Sequence, residues 1–265
     1  MSIQRVFRKF LRRIGLDVRR VDPLKSELAQ LVRQLFVHRI NLVFDVGANV
    51  GQFAEQLRYA GYPGRIVSWE ASSLAHSTLT TRARRDANWI VAPRMALGDR
   101  EGTITLNLAG NSVSSSVLPM LSSHVSADPK SRYVGSESAD LCTLDKVAMN
   151  FVSESDRIFL KLDVQGFEDR VLQGARELLP RVQGVQIELS IVPLYEGERL
   201  FHPMLHDLEK CGYQIWSLIP GFADPSTGRL LQLDAVLFRA ACNCPACSGS
   251  AYNGSSPAQL SRIDR

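Results

Sequence analysis

The 265-residue chain has no apolar run near the roughly 20 residues that a bilayer-spanning helix needs. Its basic N-terminus is not followed by the apolar stretch of about 7–15 residues that marks a secretory signal. Cysteine is scarce: there are five, an odd number, with three crowded at positions 242, 244 and 247. That usage excludes a disulfide framework, and a reducing, cytosolic compartment is expected. Glycine and proline total 30 residues without a repeating period, which excludes collagen-like and low-complexity chains. Acidic and basic residues nearly balance, but unevenly along the chain. Residues 1–25 hold eight Lys or Arg against two Asp, whereas the other 240 hold 23 basic and 25 acidic residues. A basic arm on a near-neutral body does not make a nucleic-acid surface, so no nucleic-acid partner is expected. A chain of this length buries about 70–75% of its unfolded surface and needs neither disulfide nor metal to fold.

What is present is alternation. Ile3, Val6, Phe7, Phe10, Leu11 and Ile14 fall at helical spacing with Arg and Lys opposite, predicting a basic amphipathic helix over residues 3–14. It is the expected point of peripheral contact with an anionic membrane, each basic side chain near the surface contributing about 1 kcal/mol. A second helix, SELAQLVRQLFVHR, follows Pro23. NLVFDV then reads as a strand running through a glycine turn into a helix that ends at Gly61. RIVSWE, NWIVAPRMALG, GTITLNL, RIFLKLDV, GVQIELS, YQIWSLI and LLQLDAVLFR read as further strands. Helices are predicted around 71–86, in GFEDRVLQGARELL and in ERLFHPMLHDLEKCG. Strands alternating with helices predict an α/β fold with a mainly parallel, doubly wound sheet. Residues 103–127 lack Asp, Glu, Lys and Arg but carry seven serines, and their second half is expected to be a mobile loop.

The first strand runs into Asp45-Val46-Gly47-Ala48-Asn49-Val50-Gly51, and Glu70 closes the second strand 19 residues after Gly51. Glycines let such a turn approach a ligand closely, and the following helix presents unpaired N–H groups. An acidic residue at the second strand tip can accept from both hydroxyls of an adenosine ribose. Two cofactors fit. A dinucleotide site calls for G-x-G-x-x-G, whereas this turn is G-x-x-x-G preceded by Asp. Asp45 beside the turn suits a cationic ligand, which favours S-adenosyl-L-methionine over NAD; a purely structural turn is the alternative. His202 and His206 lie four apart without an H-E-x-x-H pattern, so a solvated or core-lining pair is expected. Cys242, Cys244 and Cys247 lack the fourth ligand of a zinc site and read as tail cysteines.

Four blocks, VFDVGANVGQFAEQL, ALGDREGTITL, CTLDKV and FLKLDVQGFEDRVLQGA, resemble the FkbM-type family of class I S-adenosylmethionine-dependent methyltransferases, in family order over about residues 42–239. The resemblance implies a Rossmann-like, seven-stranded, mostly parallel sheet with helices on both faces. Its antiparallel last strand would be LLQLDAVLFR. The implied organisation is a basic helical extension over 1–40, a methyltransferase domain over 41–240 and a Cys- and Ser-containing tail over 241–265. The resemblance puts Asp45, Gly47, Asn49 and Gly51 around the methionine moiety of S-adenosyl-L-methionine, Glu70 on its ribose, and Ala96, Leu97 and Gly98 near its adenine. A K-x-D-x-x-G-x-E block maps to Lys161, Asp163, Gly166 and Glu168, facing the transferred methyl group. Asp163 or Glu168 is expected to take a hydroxyl proton, typically worth about 10²–10⁴-fold in rate, with Lys161 holding a carboxylate or the acceptor.

Structural readings stand beside these. Glu168 suits a helix N-terminus regardless of chemistry, Asp163 a turn, and Lys161 an ion pair; Glu188 could contact the acceptor or cap the sheet. The carboxylates at 45, 163 and 168 could hold a divalent ion, and no metal is assigned. The expected function is O-methylation of a sugar hydroxyl in a glycolipid or polysaccharide, with NSVSSSVLPMLSS as a lid. Competing expectations are a polyketide-type or other small-molecule hydroxyl, a nicotinamide oxidoreductase, and a catalytically silent binding protein of the same fold.

Overall fold

The computed structural model describes residues 26–239. The segment 3–14, with its expected membrane contact, and Cys242, Cys244 and Cys247 lie outside the described residues. The chain runs α1 (Glu27–Val37), β1 (Leu42–Val46), α2 (Gln52–Tyr59), β2 (Arg65–Trp69), α3 (Ser73–Ala83), β3 (Trp89–Val91), β4 (Ala96–Gly98), β5 (Gly102–Ala109), α4 (Ser122–Ala127), β6 (Tyr133–Thr143), α5 (Leu144–Ala148), β7 (Ile158–Leu162), α6 (Glu168–Gln173), β8 (Val182–Ser190), α7 (Phe201–Lys210), β9 (Tyr213–Pro220) and β10 (Gln232–Arg239). Among these, no helix is long and apolar enough to cross a membrane.

Seven strands form the main sheet in the order β3-β2-β1-β7-β8-β10-β9. β1, β2, β3, β7 and β8 pair in parallel, and β10 lies antiparallel between β8 and β9, as expected for LLQLDAVLFR. β1 and β7 are buried at every position, as parallel strands covered on both faces must be. Successive side chains then serve opposite cores. Leu42, Phe44 and Val46 join Leu144, Val171 and Met204 on one face, while Val43 joins Leu35, Leu57 and Leu79 on the other.

The second face changes character along the strands. Ile66, Val43, Phe159, Gly184 and Phe238 form one register row across five strands, apolar throughout. Two residues further on, the row reads Ser68, Asp45, Lys161, Gln186 and Val236. The same side of the sheet thus passes from packed core to polar groups just before the carboxyl ends of its strands, where Lys161 and Gln186 line a cavity.

β4, β6 and β5 form a separate three-stranded sheet. β6 was not anticipated, because only Ala139 and Leu141 of its YVGSESADLCT are buried and its first half shows no apolar alternation. The serine-rich stretch is anchored, contrary to the mobile loop expected of it. Asn107 and Ser116 exchange both backbone hydrogen bonds, Leu121 N–H donates to Leu194 O at 2.8 Å, and Glu196 N–H donates to Pro119 O at 2.8 Å. Ser114 and Ser116 are buried. Hydroxyls that would solvate a free loop instead satisfy backbone: Ser116 Oγ donates to Gln165 O at 2.6 Å. Residues 107–131 consequently form a roof tied to the segment after β8.

Candidate functional site

Strand order reverses at β1, with β2 and β3 on one side and β7 onward on the other, and such a switch point opens a crevice at the strand ends. A cavity of about 430 Å³ lies there, within the roughly 300–1,000 Å³ usual for small-molecule sites.

One half of the cavity is built by main chain. After β1 the backbone turns left-handed at Gly47 (φ +78°) and Asn49 (φ +48°). A Cβ on Gly47 would stand 1.8 Å from the Asp163 carbonyl oxygen, so only glycine lets the turn pass beneath the tip of β7. The N–H groups of Gly47 and Ala48 donate to Trp69 O at 3.1 and 3.0 Å. Glu70 accepts Asn49 N–H on Oε2 and Ser72 N–H on Oε1, each at 2.7 Å. Each carboxylate oxygen keeps a further lone pair for a ligand hydroxyl. Burial raises the Glu70 pKa above its ordinary value, against the pull of those backbone donors. Trp69, Met95, Ala96, Leu97 and Phe167 give the apolar wall.

The other half is built by side chains. Lys161 is buried, with Nζ 3.1 Å from Asp163 Oδ2 and 3.5 Å from Asp45 Oδ1. Burial alone would lower its basicity, but the carboxylates of Asp163, Asp45 and Asp234 outweigh that and hold the ammonium above lysine's usual range. Gln165 Nε2 donates to Asp163 Oδ1 at 2.9 Å and to Glu188 Oε2 at 2.6 Å. Gln232 Nε2 donates to the same Glu188 oxygen at 3.1 Å. Tyr195 OH donates to Gln165 Oε1 at 2.7 Å, which fixes which way the amide points. Burial, then the charges of Asp163, Glu168 and Asp234, push Glu188 well above a glutamate's ordinary pKa, with Lys161 opposing. Asp234 is shifted upward for the same reasons, burial first.

Of the residues expected at the site, Gly47, Asn49, Glu70, Ala96, Leu97, Lys161 and Asp163 line the cavity. Asp45, Gly51, Gly98 and Glu168 do not. Asp45 is fully buried behind the turn, with Ser68 Oγ donating to it at 3.3 Å and its charge facing Lys161 rather than a ligand. A Cβ on Gly51 would meet the Trp89 ring at 2.6 Å, and one on Gly98 the Phe167 ring at 2.8 Å, so both serve packing. Glu168 is buried with Oε1 accepting Val164 N–H at 2.8 Å, closing the turn that leads into α6. Burial, with Asp163 and Glu198 adding, raises its pKa to about 8 despite its backbone hydrogen bonds.

Gln165, Gln186, Gln232 and Asp234 line the cavity without having been anticipated, and Glu188, left open, lines it too. A signal existed: Gln186 and Glu188, like Gln232 and Asp234, sit two apart in otherwise apolar strands, where side chains share a face. His202 and His206 are exposed on α7, away from the cavity.

The residues suit S-adenosylmethionine. Glu70 has lone pairs for a diol, the Met95 to Leu97 wall suits a flat base, and the buried Asn49 Oδ1 has no partner among the described residues and can accept from an ammonium group. Carboxyls in excess of Lys161 leave the region favourable to positive charge. A doubly wound sheet with a glycine turn at β1, a carboxylate at the tip of β2 and an antiparallel strand inserted between β8 and β9 fits the class of S-adenosylmethionine-dependent methyltransferases. A family model described as the methyltransferase FkbM domain matches residues 45–215, and the chain belongs to that family. No curated protein matches the chain in sequence. Among solved structures it is similar to an S-adenosylmethionine-dependent methyltransferase from Mesorhizobium loti, with 11% identity, 81% of this chain and 99% of that chain covered, and a TM-score of 0.43. It is also similar to the N-terminal domain of human METTL16 in complex with SAH, with 10% identity, 89% and 81% covered, and a TM-score of 0.43. The assignment rests on the family match and on the strand order, not on these distant likenesses.

Proposed function

We propose that this S-adenosylmethionine-dependent methyltransferase O-methylates a hydroxyl of a neutral sugar residue, in a glycolipid or polysaccharide. The observation that carries the reading is the cavity floor: Asp163, Gln165, Gln186, Glu188, Gln232 and Asp234 line it, and no arginine does among the described residues. Its one lysine is already engaged by Asp163 and Asp45. Carboxyls and carboxamides match hydroxyls as both donors and acceptors. A phosphate or carboxylate acceptor would meet uncompensated negative charge instead.

S-adenosylmethionine, when bound, supplies an electrophilic methyl group. Glu70, Asn49 and the Ala96–Leu97 wall hold that cofactor, and Lys161 with Asp163 orients the acceptor at the tip of β7. Because the reaction is an in-line displacement, placing the acceptor oxygen and excluding water supply most of the acceleration. The roof over residues 111–117 lines the site, where the hydroxyls of Ser112 and Ser114 can meet a polyol. The test is transfer of radiolabelled methyl groups from S-adenosylmethionine to a panel of methyl hexopyranosides, their phosphorylated counterparts, and amine and carboxylate compounds. A methyl ether on the unphosphorylated sugars is expected. Preference for phosphorylated sugars, amines or carboxylates would overturn the reading.

A further inference from the structure

Resting on that reading, we infer that Glu188, rather than Asp163 or Glu168, is the group that takes the acceptor hydroxyl's proton. Four carboxyls sit at or near the cavity floor, and their hydrogen bonds sort them. Asp234, on β10, accepts from the Gln186 amide. Glu168 does not line the cavity, and its Oε1 is bound to Val164 N–H. Asp163 lines it, but Lys161 Nζ holds one oxygen and Gln165 Nε2 the other. A carboxylate fixed by an ammonium and an amide is an anchor. Glu188 is arranged differently: both amide donors, Gln165 and Gln232, converge on Oε2, so Oε1 receives no hydrogen bond from a described residue, and the side chain lines the cavity.

The convergence is enforced from the roof. Tyr195 OH has one proton and two acceptors in reach, Gln165 Oε1 at 2.7 Å and Ser114 O at 3.3 Å; the shorter contact turns Oε1 of Gln165 toward Tyr195 and leaves both amide hydrogens of Gln165 for Asp163 and Glu188. Gln165 itself sits at φ +55°, held by Ser116 Oγ on its carbonyl. Tyr195 and Gln165 are thus positioning residues for Glu188. The groups facing Glu188 are Asp163 and Lys161 from β7 and its tip, Glu168 at the start of α6, Asp234 on β10 and the neutral Tyr195 hydroxyl after β8. Burial and three carboxyls, opposed by one ammonium, keep the proton affinity of its carboxylate high. A base works best when its pKa lies near the working pH.

In the step, the acceptor O–H bond breaks and its proton passes to Glu188 Oε1. The oxygen's electron pair forms the bond to the methyl carbon, and the carbon–sulfur pair stays on sulfur. The negative charge of the carboxylate and the positive charge of the sulfonium disappear together, so no other reactant is needed.

The experiment compares wild type, Glu188→Gln, Glu188→Asp and Asp163→Asn. S-adenosylhomocysteine calorimetry verifies folding of each. For the hexopyranoside methylated by wild type, kcat, KM and the pH profile are measured. Glu188→Gln is expected to bind S-adenosylhomocysteine within about twofold of wild type and to lose roughly 10²–10⁴-fold in kcat. The limb of kcat/KM that rises with pH should vanish with it and return in part in Glu188→Asp. Asp163→Asn should raise acceptor KM and keep that limb. Infrared titration needs no acceptor: Glu188→Gln should remove a carboxyl band that titrates above the surface-glutamate range. Retention of kcat within about threefold, an unchanged rising limb, or no lost band would overturn the inference while leaving sugar methylation intact. Failure of wild type to methylate any hexopyranoside would overturn the sugar reading, and the infrared titration would then decide Glu188's protonation by itself.

Discussion

The two halves of the cavity hold their carboxyls in different ways. On the β1–β2 side, Glu70 is gripped by the N–H groups of Asn49 and Ser72. On the β7–β8–β10 side, Asp163 and Glu188 are gripped by Lys161, Gln165 and Gln232, side chains drawn from the end of β7, the turn after it and the start of β10. Main-chain donors cannot be substituted away and do not depend on residue type, so that half is suited to an invariant ligand. Side-chain donors can be exchanged one at a time, which suits the half that must fit a particular acceptor.

The comparison breaks most severely at Gly47. Gly47→Ala forces a Cβ to within 1.8 Å of Asp163 O at φ +78°, where the β1 turn passes beneath the tip of β7. A loss of about 3 kcal/mol or more in chemical denaturation is expected, with S-adenosylhomocysteine binding and methyl transfer lost together.

Glu168 gives a pH-dependent break. Its folded pKa of about 8 lies above the ordinary 4.5, so the folded state holds the proton more tightly than the unfolded chain. Stability from this group is therefore full below about pH 4.5 and is lost as pH rises through about 8, a change on the order of a few kcal/mol. Glu168→Gln, which can still accept from Val164 N–H, should flatten denaturation midpoints compared at about pH 5, 7 and 9.

Glu70→Ala sharpens the contrast by acting on one half. Removing a carboxylate that receives charge-assisted hydrogen bonds costs roughly 1.5–3 kcal/mol, so S-adenosylhomocysteine affinity should fall about 10–150-fold with acceptor KM unmoved. Tyr195→Phe acts on the other half and has the smallest effect. Losing the lock on the Gln165 amide should lower kcat by about 2–10-fold and displace the pH midpoint of kcat/KM, with S-adenosylhomocysteine affinity unchanged.

Legibility in the sequence followed the same division. The β1 turn, Glu70 and the alternation of strands and helices are local patterns, and the structure finds them with boundaries shifted by a few residues. NWIVAPRMALG was one predicted strand and is two, β3 in the main sheet and β4 in the small one. Asp45 illustrates the limit: its place beside the turn implied a ligand charge, but its register partner across the sheet is Lys161, which absorbs that charge. The serine-rich stretch misled in the opposite sense, because its backbone partners at 165 and 194 are distant in sequence.

The sequence by itself determined the parallel α/β sheet and the glycine turn with its carboxylate, since periodicity and turn chemistry act over a few residues. Tertiary structure alone decided which acids face the ligand, because the faces of β7, β8 and β10 meet only through register and hydrogen bonds between residues 20 to 50 apart. Gln165 and Glu188, 23 positions apart, and Glu188 and Gln232, 44 apart, became one polar floor only when the antiparallel β10 was placed beside β8.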